Sequence, residues 1–419
     1  MLIGQGSPDN ILTEVDVKVL CARAFEHKAL DGKRILCIIP DHTRTAPIDV
    51  LFRVVYQLLS DKVAALDFMI ALGTHQPLSK EAIYKRVGIT ASDHHSIYPH
   101  AHFYNHQWKK PDQLKYIGTI TGKYVADLSG GLMTGDVDIT INKRIFDYDL
   151  LMIIGPTFPH EVVGFSGGNK YLFPGISGEE IINMFHWLGA LITNPGIIGQ
   201  KNTPVRQVVD MAAALVPVER YCISLVVKGN DLAGLYIGTP EEAWQAAAEL
   251  SDKVHIIYKD RQYQTVLSCA PEMYDDLWTG GKCMYKLEQV VADGGELIIY
   301  APHITEVSVS HGRIIEEIGY HVRDYFTKQE EHFRQIPGGV KAHSTHVKGI
   351  GTFKDGIEKP RIDVVLATGI PEEICAKINL GYRDPATIKI EDFRDREDQG
   401  ILYVAKAGEM LYRVRSGKN

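Results

Sequence analysis

Residues 155–178 read GPTFPHEVVGFSGGNKYLFPGISG and directly follow the apolar run Leu150–Ile154. The apolar run predicts a buried strand, and the quoted stretch predicts the loop in which that strand ends. Its many glycines allow positive φ angles and let a ligand approach the backbone closely. The loop also carries the polar side chains of His160, Ser166 and Lys170. A strand that ends in such a loop is typical of the ligand-binding edge of an α/β sheet.

The segment Ser166-Gly167-Gly168 is a candidate anion-binding turn, because successive main-chain N–H groups can point at one ligand. Lys170 adds a cation or a nucleophilic amine two residues later. The stretch is not a Walker A loop, since Lys170 is followed by Tyr171 and the GxxxxGK[ST] spacing is absent. The alternative is an ordinary glycine-rich connection between two elements.

Two further strand-and-loop units precede this one. The run Arg34–Pro40 ends in the polar loop 41–44 (DHTR), and the run Ala65–Leu72 ends in the loop 73–77 (GTHQP). Parallel strands of an α/β sheet present their carboxyl ends at one edge, where such folds bind ligands. The pattern therefore predicts that one edge of the sheet collects the side chains of Asp41, Arg44 and His75.

Composition excludes several classes of protein. The 419 residues are enough for two or three domains, and a net charge of −7 argues against nucleic acid as the main partner. We find no apolar run of membrane-spanning length and no signal peptide at the N-terminus. The six cysteines form no CxxC pair, which favours buried thiols in a reducing compartment. These features together predict a cytoplasmic protein.

We expect a domain boundary near residues 258–272, where the strand Thr265–Cys269 begins a second α/β series that continues with strands at 296–300 and 362–368. We therefore predict an N-terminal cofactor-binding α/β domain over 1–260 and a C-terminal α/β domain over 265–404, with 405–419 as a candidate return to the first. The segment 275–282 (DDLWTGGK) looks like a second functional loop. A helix is predicted to follow it over Tyr285–Val291.

Histidines outside these loops are open to two interpretations. Residues 92–111 hold several histidines, but they lack an HExxH spacing and a nearby cysteine, which favours a polar surface loop with incidental metal affinity over a metal site. His186 lies in the predicted helix 179–190 and is either a core histidine or a ligand.

The candidate residues suit one kind of chemistry. Two histidines, His75 and His160, can act as acid and base on opposite faces of one carbon, because imidazole exchanges a proton near pH 7. Arg44 and Lys282 suit a carboxylate, Arg through its planar fork and Lys as a point charge.

Four segments together resemble the nickel-dependent lactate racemase family: PDHTRTAP at 40–47, GTHQP at 73–77, PHEVVGFSGGNKYLFPGISG at 159–178 and FHW at 185–187. The resemblance implies two mixed α/β domains with the active site in the interdomain cleft. It also implies a nickel pincer nucleotide (nickel pyridinium-3,5-bisthiocarboxylic acid mononucleotide) as cofactor. Soft sulfur donors together with an imidazole suit such a nickel site.

The resemblance also implies roles for individual residues. His75 and His160 would be the catalytic acid/base pair, and His186 would be the protein ligand to nickel. Lys170 would lie at the cofactor, to which some family members join it covalently. The remaining cofactor-binding positions would be Asp41, Thr43, Ser166, Gly167 and Gly168. The substrate-binding positions would be Arg44, Lys282, Trp278 and Thr279.

One departure from the family pattern bears on the substrate. Lactate-active members have a tyrosine–glutamine pair before the substrate lysine, where this chain has Trp278-Thr279 and then Gly280-Gly281. We expect the change to enlarge the pocket, so that a larger polar 2-hydroxy acid such as gluconate is epimerised at C2 in preference to lactate. The expected partners are this small acid and the enzymes that build the cofactor and insert nickel.

Three alternatives remain open. The chain could instead racemise lactate or another small 2-hydroxy acid. A phosphate-transferring enzyme could use the glycine-rich loop, although a Walker lysine and an acidic metal pair are absent. A non-catalytic protein that binds a small carboxylic acid could use Arg44 and Lys282, but it would need neither both histidines nor His186.

Overall fold

The computed structural model describes residues 1–415 and confirms the α/β fold class. The chain divides into two compact units, each assembled from several segments. Unit 1 consists of Met1–Phe158, Phe165–Ile182 and Arg206–Val254. Unit 2 consists of Pro159–Gly164, Asn183–Val205 and the chain from His255 onward. The domain boundary that we drew between 260 and 265 stays a prediction.

Strands and helices alternate along the chain. The elements up to residue 156 are β1 (Ile3–Gly6), α1 (Glu14–Glu26), β2 (Arg34–Pro40), α2 (Ile48–Leu59), β3 (Ala65–Ala71), α3 (Lys80–Val87), α4 (Ala91–Ser96), β4 (Phe103–Asn105), β5 (Leu114–Ile120), α5 (Gly122–Ser129), β6 (Val137–Asn142) and β7 (Leu150–Pro156). Those up to residue 259 are β8 (Pro159–His160), β9 (Gly164–Phe165), α6 (Glu179–Ile192), α7 (Asn194–Ile197), α8 (Pro204–Ala214), β10 (Glu219–Lys228), β11 (Asp231–Gly238), α9 (Pro240–His255) and β12 (Ile256–Lys259). The remainder are β13 (Tyr263–Cys269), α10 (Leu277–Gly280), α11 (Lys282–Tyr285), β14 (Val291–Ala301), α12 (Gly312–Ile318), α13 (Arg323–Thr327), α14 (Glu330–Phe333), α15 (Gly338–Lys348), β15 (Gly351–Lys354), β16 (Ile357–Pro360), β17 (Asp363–Thr368), α16 (Glu372–Lys377), β18 (Gly381–Tyr382), β19 (Ile401–Val404) and β20 (Leu411–Val414).

Unit 1 is built on a seven-stranded sheet in the order β1-β11-β10-β7-β2-β3-β4. Strands β10, β7, β2, β3 and β4 run parallel, β11 is antiparallel to β10, and β1 is antiparallel to β11. The central strands read as continuous apolar runs because both of their faces are buried. Pro40 pairs with Ala71 at the end of β2 and β3, so the loops after these strands leave from the same edge.

Unit 2 contains a five-stranded parallel sheet in the order β18-β17-β14-β13-β19. Its core includes the buried side chains of Leu267, Ile298 and Ala367, one from each of three neighbouring strands. The segment 275–282 follows β13, which lies between β14 and β19 in this sheet. The strands predicted at 265–269, 296–300 and 362–368 are therefore present.

The helix that we predicted over Tyr285–Val291 is wrong. Helix α11 ends at Tyr285, a short 3₁₀ turn covers Glu288–Val290, and β14 begins at Val291. Val291 pairs with Tyr263 of β13, and the pairing shifts register between Tyr263 and Thr265 before it resumes. The strand that begins at Val291 explains why β-branched residues are buried here. We had assigned these residues to one face of a helix.

Residues 92–111 are also more ordered than the predicted surface loop. They contain α4 and β4, and His106 is fully buried, with its Nε2 bonded to the carbonyl oxygen of Ser177. Burial lowers the pKa of His106 to about 4, which keeps the ring neutral. His94 lies between the hydroxyl of Tyr84 and the carbonyl of Ala101. These two histidines therefore fill structural positions.

The six cysteines are buried and unpaired, as the sequence predicts. Burial raises the pKa of each thiol, for example to about 12 at Cys21 and Cys222. Among residues 1–415, no helix is both long enough and apolar enough to cross a membrane.

Candidate active site

Asp41 and His75 form a close pair at the ends of β2 and β3. Nδ1 of His75 lies 2.5 Å from Oδ2 of Asp41, while the backbone N–H and hydroxyl of Thr43 donate to Oδ1 at 3.0 and 2.7 Å. Burial alone would raise the pKa of the Asp41 carboxyl, but His75, Arg44 and Thr43 outweigh it and hold that pKa well below its usual range. An ionised Asp41 keeps the proton of His75 on Nδ1, which leaves Nε2 as the basic nitrogen.

The loop that carries Arg44 is held in place by Arg86 of α3. Arg86 donates to the carbonyl oxygens of Pro40, Arg44 and Ala46, at 3.2, 2.9 and 3.4 Å. Arg44 itself donates to the hydroxyl of Thr43 at 3.1 Å. We did not predict a role for Arg86. Nothing in the neighbouring sequence shows that this arginine, in the last turn of a helix, supports a distant loop.

The glycine-rich turn approaches other groups too closely for any side chain. Gly167 and Gly168 have φ angles of 89° and 58°, and a Cβ on Gly167 would lie 2.5 Å from the hydroxyl oxygen of Thr157. That hydroxyl is buried and has no hydrogen-bond partner within residues 1–415. The hydroxyl of Ser166 accepts from the N–H of Phe158 at 2.9 Å and donates to the carbonyl of Pro156 at 3.3 Å. Ser166 therefore shapes the turn from within.

Two residues from the helices behind the turn hold its backbone. Arg206 donates to the carbonyl oxygens of Phe165 and Gly167, and its guanidinium lies 4.1 Å from the centre of the Trp244 ring. The indole N–H of Trp244 donates to the carbonyl of Ser166 at 2.9 Å. Burial lowers the pKa of Arg206 to about 10. Sequence reasoning missed both supports.

Asn169 anchors the end of the same turn, next to Lys170. Its amide nitrogen donates to Asp210 and Glu241 at 3.0 and 2.8 Å, and its amide oxygen accepts from Arg220 at 2.9 Å. This network fixes the chain on one side of Lys170, whose own side chain is half-buried. The backbone around the candidate cofactor residues is thus held by buried polar groups that lie far away in sequence.

His160, in unit 2, also has a carboxylate beside Nδ1. Oε2 of Glu161 lies 3.3 Å from this nitrogen, which in the neutral ring accepts the backbone N–H of Val162 at 3.1 Å. The same nitrogen faces Glu161 when the ring is protonated. The backbone here is supported by the buried Lys286, which donates to the carbonyl of Pro159 at 2.5 Å. Neither Glu161 nor Lys286 was among the predicted site residues.

Trp278 lies in a cluster of aromatic rings in unit 2. Its ring stacks on that of His343, with centroids 4.1 Å apart and planes 8° apart, and His311 lies against it at 4.6 Å. Nε2 of His343 bonds to the carbonyl of Trp278 at 2.9 Å, whereas Nδ1 is buried without a partner in the described part of the chain. Burial lowers the pKa of His343 to about 3, so this ring is neutral.

The space that we expected behind Thr279 is filled. A Cβ on Gly280 would lie 2.9 Å from Ile304, and one on Gly281 would lie 2.7 Å from Val347. These glycines therefore permit close packing and leave no extra volume, which corrects our reasoning about the pocket. Thr279 is buried, and its N–H is capped by Asp276 at 3.0 Å.

The two remaining predicted residues, Lys282 and His186, are each half-buried in unit 2. The ammonium of Lys282 lies 4.6 Å from the centre of the Tyr274 ring. The imidazole of His186 stacks on Phe185 at 4.3 Å. The structure thus brings Asp41, Thr43, Arg44 and His75 together in unit 1, and the environment of Trp278 and Thr279 is built separately in unit 2.

This chain is similar in sequence to known lactate racemases. The model of the lactate racemase N-terminal domain matches residues 9–196. The lactate racemase of Thermoanaerobacterium thermosaccharolyticum is 25% identical over 317 residues, which span 73% of this chain and 67% of that protein. The lactate racemase of Lactiplantibacillus plantarum is 28% identical over 173 residues, 41% of this chain and 36% of that protein. Residues 9–196 of this chain belong to the lactate racemase family.

Solved structures extend the likeness to the whole chain. A crystal structure of a Thermotoga maritima protein has a TM-score of 0.90 and 32% identity, covering 98% of this chain and 100% of that one. The lactate racemase apoprotein of T. thermosaccharolyticum has the same fold, with a TM-score of 0.71 and 18% identity over 96% of this chain and 93% of that one. The family assignment makes this protein an isomerase of the racemase class.

The buried carboxylate of this racemase gives a prediction about stability. Because the pKa of Asp41 is lower in the folded chain than its ordinary value of about 4, its stabilising contribution is present above that value and is lost as the pH falls. We expect Asp41→Asn to lower the free energy of unfolding at pH 7 by about 1–3 kcal/mol and to flatten its dependence on pH between about 5 and 3.

Urea denaturation at a series of pH values measures both effects. Asp49→Asn on α2 is the matched control, because that carboxylate is exposed at the protein surface. The free energy of unfolding of Asp41→Asn could instead change with pH in parallel with that of the wild type throughout the acid range. That result would show that the pair with His75 contributes nothing to pH-dependent stability.

Proposed function

We propose that this racemase inverts the C2 stereocentre of a 2-hydroxy acid. One of His75 and His160 takes the hydroxyl proton as the C2–H bond breaks with loss of hydride, and the other returns a proton as hydride comes back to the opposite face of C2. The observation that carries the proposal is that each histidine has a carboxylate at Nδ1, Asp41 in one case and Glu161 in the other. Such a carboxylate stabilises the imidazolium and orients the ring, so that each histidine can take and return a proton. Two equivalent bases are what inversion through a planar intermediate requires.

The residues present fit the nickel pincer nucleotide. His186 offers an imidazole to the metal, and nickel accepts such a nitrogen beside sulfur donors. Successive main-chain N–H groups at Gly167 and Gly168 suit a phosphate, and the buried hydroxyl of Thr157 beside Gly167 is a donor without a partner in residues 1–415. Lys170 follows this turn directly. When bound, the cofactor supplies a reversible acceptor for the hydrogen at C2.

The other residues of the chain bind and orient the acid. Arg44 is held by Thr43 and Arg86, with N–H groups suited to a carboxylate, and Lys282 adds a second cation. The cofactor would be delivered by the enzymes that synthesise it and insert nickel. A non-catalytic acid-binding protein would not need a carboxylate beside Nδ1 of each histidine.

We further propose that the preferred substrate is a larger polar 2-hydroxy acid such as gluconate. Gly280 and Gly281 leave no extra volume for a larger substrate, so they do not support this preference. The groups around Trp278 do support it. Nδ1 of His343 and the hydroxyl of Tyr320 are both buried without a hydrogen-bond partner among residues 1–415, and the two rings lie 5.7 Å apart. A hydroxylated chain near Trp278 could satisfy such groups, whereas the methyl group of lactate could not.

A substrate panel tests this preference. Cofactor-loaded enzyme is offered lactate, malate, phenyllactate and gluconate, and inversion at C2 is followed by proton NMR or chiral chromatography. We expect the highest kcat/KM with gluconate, and we expect His343→Phe, which keeps a ring against Trp278, to reduce kcat/KM for gluconate more than for lactate. The highest kcat/KM with lactate would contradict the substrate proposal and leave the racemase chemistry standing.

A further inference from the structure

Unit 2 contains a cavity of about 250 Å³ that shares no residue with the candidate active site. It lies between the end of α6, the start of α7, and the C-terminal part of α15. Its lining residues are Ala190, Thr193, Asn194, Glu288, Arg323, Thr345, His346, Gly349, Ile350 and Gly351. A cavity of this size holds a small organic molecule, which is larger than a single water or metal ion.

A buried carboxylate forms part of the wall. Glu288 is 0% exposed, and its oxygens accept from two neutral groups, the N–H of Ile350 at 2.7 Å and the amide of Asn194 at 3.0 Å. Burial raises the pKa of this carboxyl. Each carboxylate oxygen has a second lone pair, so Glu288 can accept further hydrogen bonds from a ligand in the cavity.

Asn194 presents an unpaired acceptor in the same wall. Its amide nitrogen donates to Glu288 and to the carbonyl of Tyr285 at 2.9 Å. Because both of these partners are acceptors, the amide cannot be turned over, and its oxygen must be the other atom of the group. That oxygen is buried and has no partner in the part of the chain that the structure describes.

A second unpaired atom lies in the wall, next to a strained residue. Nε2 of His346 is buried without a partner among residues 1–415, and the whole side chain is 4% exposed. Thr193 has a φ angle of 85°, a conformation that a β-branched residue rarely adopts. Strain of this kind is characteristic of ligand-binding sites, where the surrounding structure enforces it.

We propose that this cavity binds a small organic cation through a primary ammonium group. An ammonium has three N–H donors and no acceptor, and the wall offers three matching acceptors: the carboxylate of Glu288, the amide oxygen of Asn194 and, in the tautomer with hydrogen on Nδ1, Nε2 of His346. The ammonium charge also lies next to a carboxylate whose two hydrogen-bond donors inside this wall are neutral. The rest of the ligand occupies the remaining volume.

Arg323 lies towards the mouth of the cavity, since its side chain is 39% exposed. Its positive charge is compensated by Asp324 at 3.0 Å, and it also donates to the carbonyl of Leu191 at 2.9 Å. The guanidinium has five N–H donors, which leaves some for a hydroxyl group at the outer end of the ligand. The cavity therefore selects an ammonium at its inner end and a hydrogen-bond acceptor at its outer end.

The test compares two probes of nearly the same shape, 4-aminobutan-1-ol and butane-1,4-diol. Saturation-transfer NMR and the shift in Tm are measured on the cofactor-loaded enzyme, and neither readout depends on turnover. We expect the amino alcohol to bind at least about tenfold more tightly than the diol, a difference of about 1.4 kcal/mol. Equal binding of the two probes, or no binding of either, would overturn the proposal.

Variants locate the site. Glu288→Gln keeps the shape of the side chain and removes its charge, so it should abolish the preference for the amino alcohol, while Glu331→Gln at an exposed position should not. His346→Phe removes the second acceptor and should weaken amino alcohol binding about tenfold, which keeps the proposal testable if the first variant fails to fold. Unchanged binding in either folded variant would place the probe elsewhere and refute the assignment.

Discussion

Replacing either His75 or His160 by alanine is expected to lower racemisation by about 10²–10⁴-fold in both directions, the usual contribution of a general acid or base. Each turnover that inverts C2 uses one histidine on each face of the substrate, so neither direction can proceed normally with only one ring. The measurement is the initial rate from each pure enantiomer or epimer. An effect in one direction only is impossible at fixed equilibrium unless substrate binding also changes.

Exposed histidines provide the control for these two variants. His95→Ala lies on α4 at the surface and should leave both rates unchanged. If His75→Ala or His160→Ala retained near-native turnover, the carboxylate at Nδ1 of that ring would have a structural role only. Asp41→Asn and Glu161→Gln should fall between wild type and the histidine variants, because they disturb the ring without removing it.

The sequence predicted the sheet edge well because the signal there is local. Buried parallel strands are continuous apolar runs, and each one ends where polar or glycine residues begin. The predicted strands 34–40 and 65–72 match β2 and β3 to within one residue, which placed Asp41 and His75 at the same edge. The 2.5 Å contact between these residues follows from strand register, which the sequence could only suggest.

The region from 275 to 295 shows the opposite case. Short helices, a 3₁₀ turn and an irregular strand follow one another within these residues, and no periodicity extends over enough residues to identify them. From the sequence, Gly280 and Gly281 suggested open space in the pocket. In the structure, Ile304 and Val347 pack against these glycines and leave no room for a side chain. A glycine in the sequence shows that a position carries no side chain. Only the structure shows whether that position faces open space or a neighbouring residue.

The supports of the candidate site were missed for a related reason. Arg86, Arg206, Trp244 and Lys286 donate to backbone carbonyl groups that lie between 39 and 127 residues away in the chain. Buried arginines and lysines are uncommon, but the sequence does not show burial. Hydrogen bonds from Arg206 and Trp244 hold the backbone of the predicted cofactor turn, which consists largely of small residues.

His186→Ala is expected to remove nickel from the purified protein and to abolish racemisation, while the fold persists. His186 is half-buried on α6 and stacks on Phe185, so loss of the imidazole removes a possible metal ligand and only a partly buried ring. An imidazole nitrogen completes the ligand set that sulfur donors begin, and alanine offers no donor atom. The protein should be produced together with the enzymes that build the cofactor and insert nickel.

Elemental analysis of nickel per chain, far-UV circular dichroism and turnover are then measured on the same sample. His332→Ala, at an exposed position in α14, is the matched control and should keep wild-type nickel content and activity. Full activity in His186→Ala would rule out His186 as an essential metal ligand. Wild-type nickel content in a folded but inactive variant would assign the metal to other donors and leave His186 with a role in positioning the substrate or cofactor.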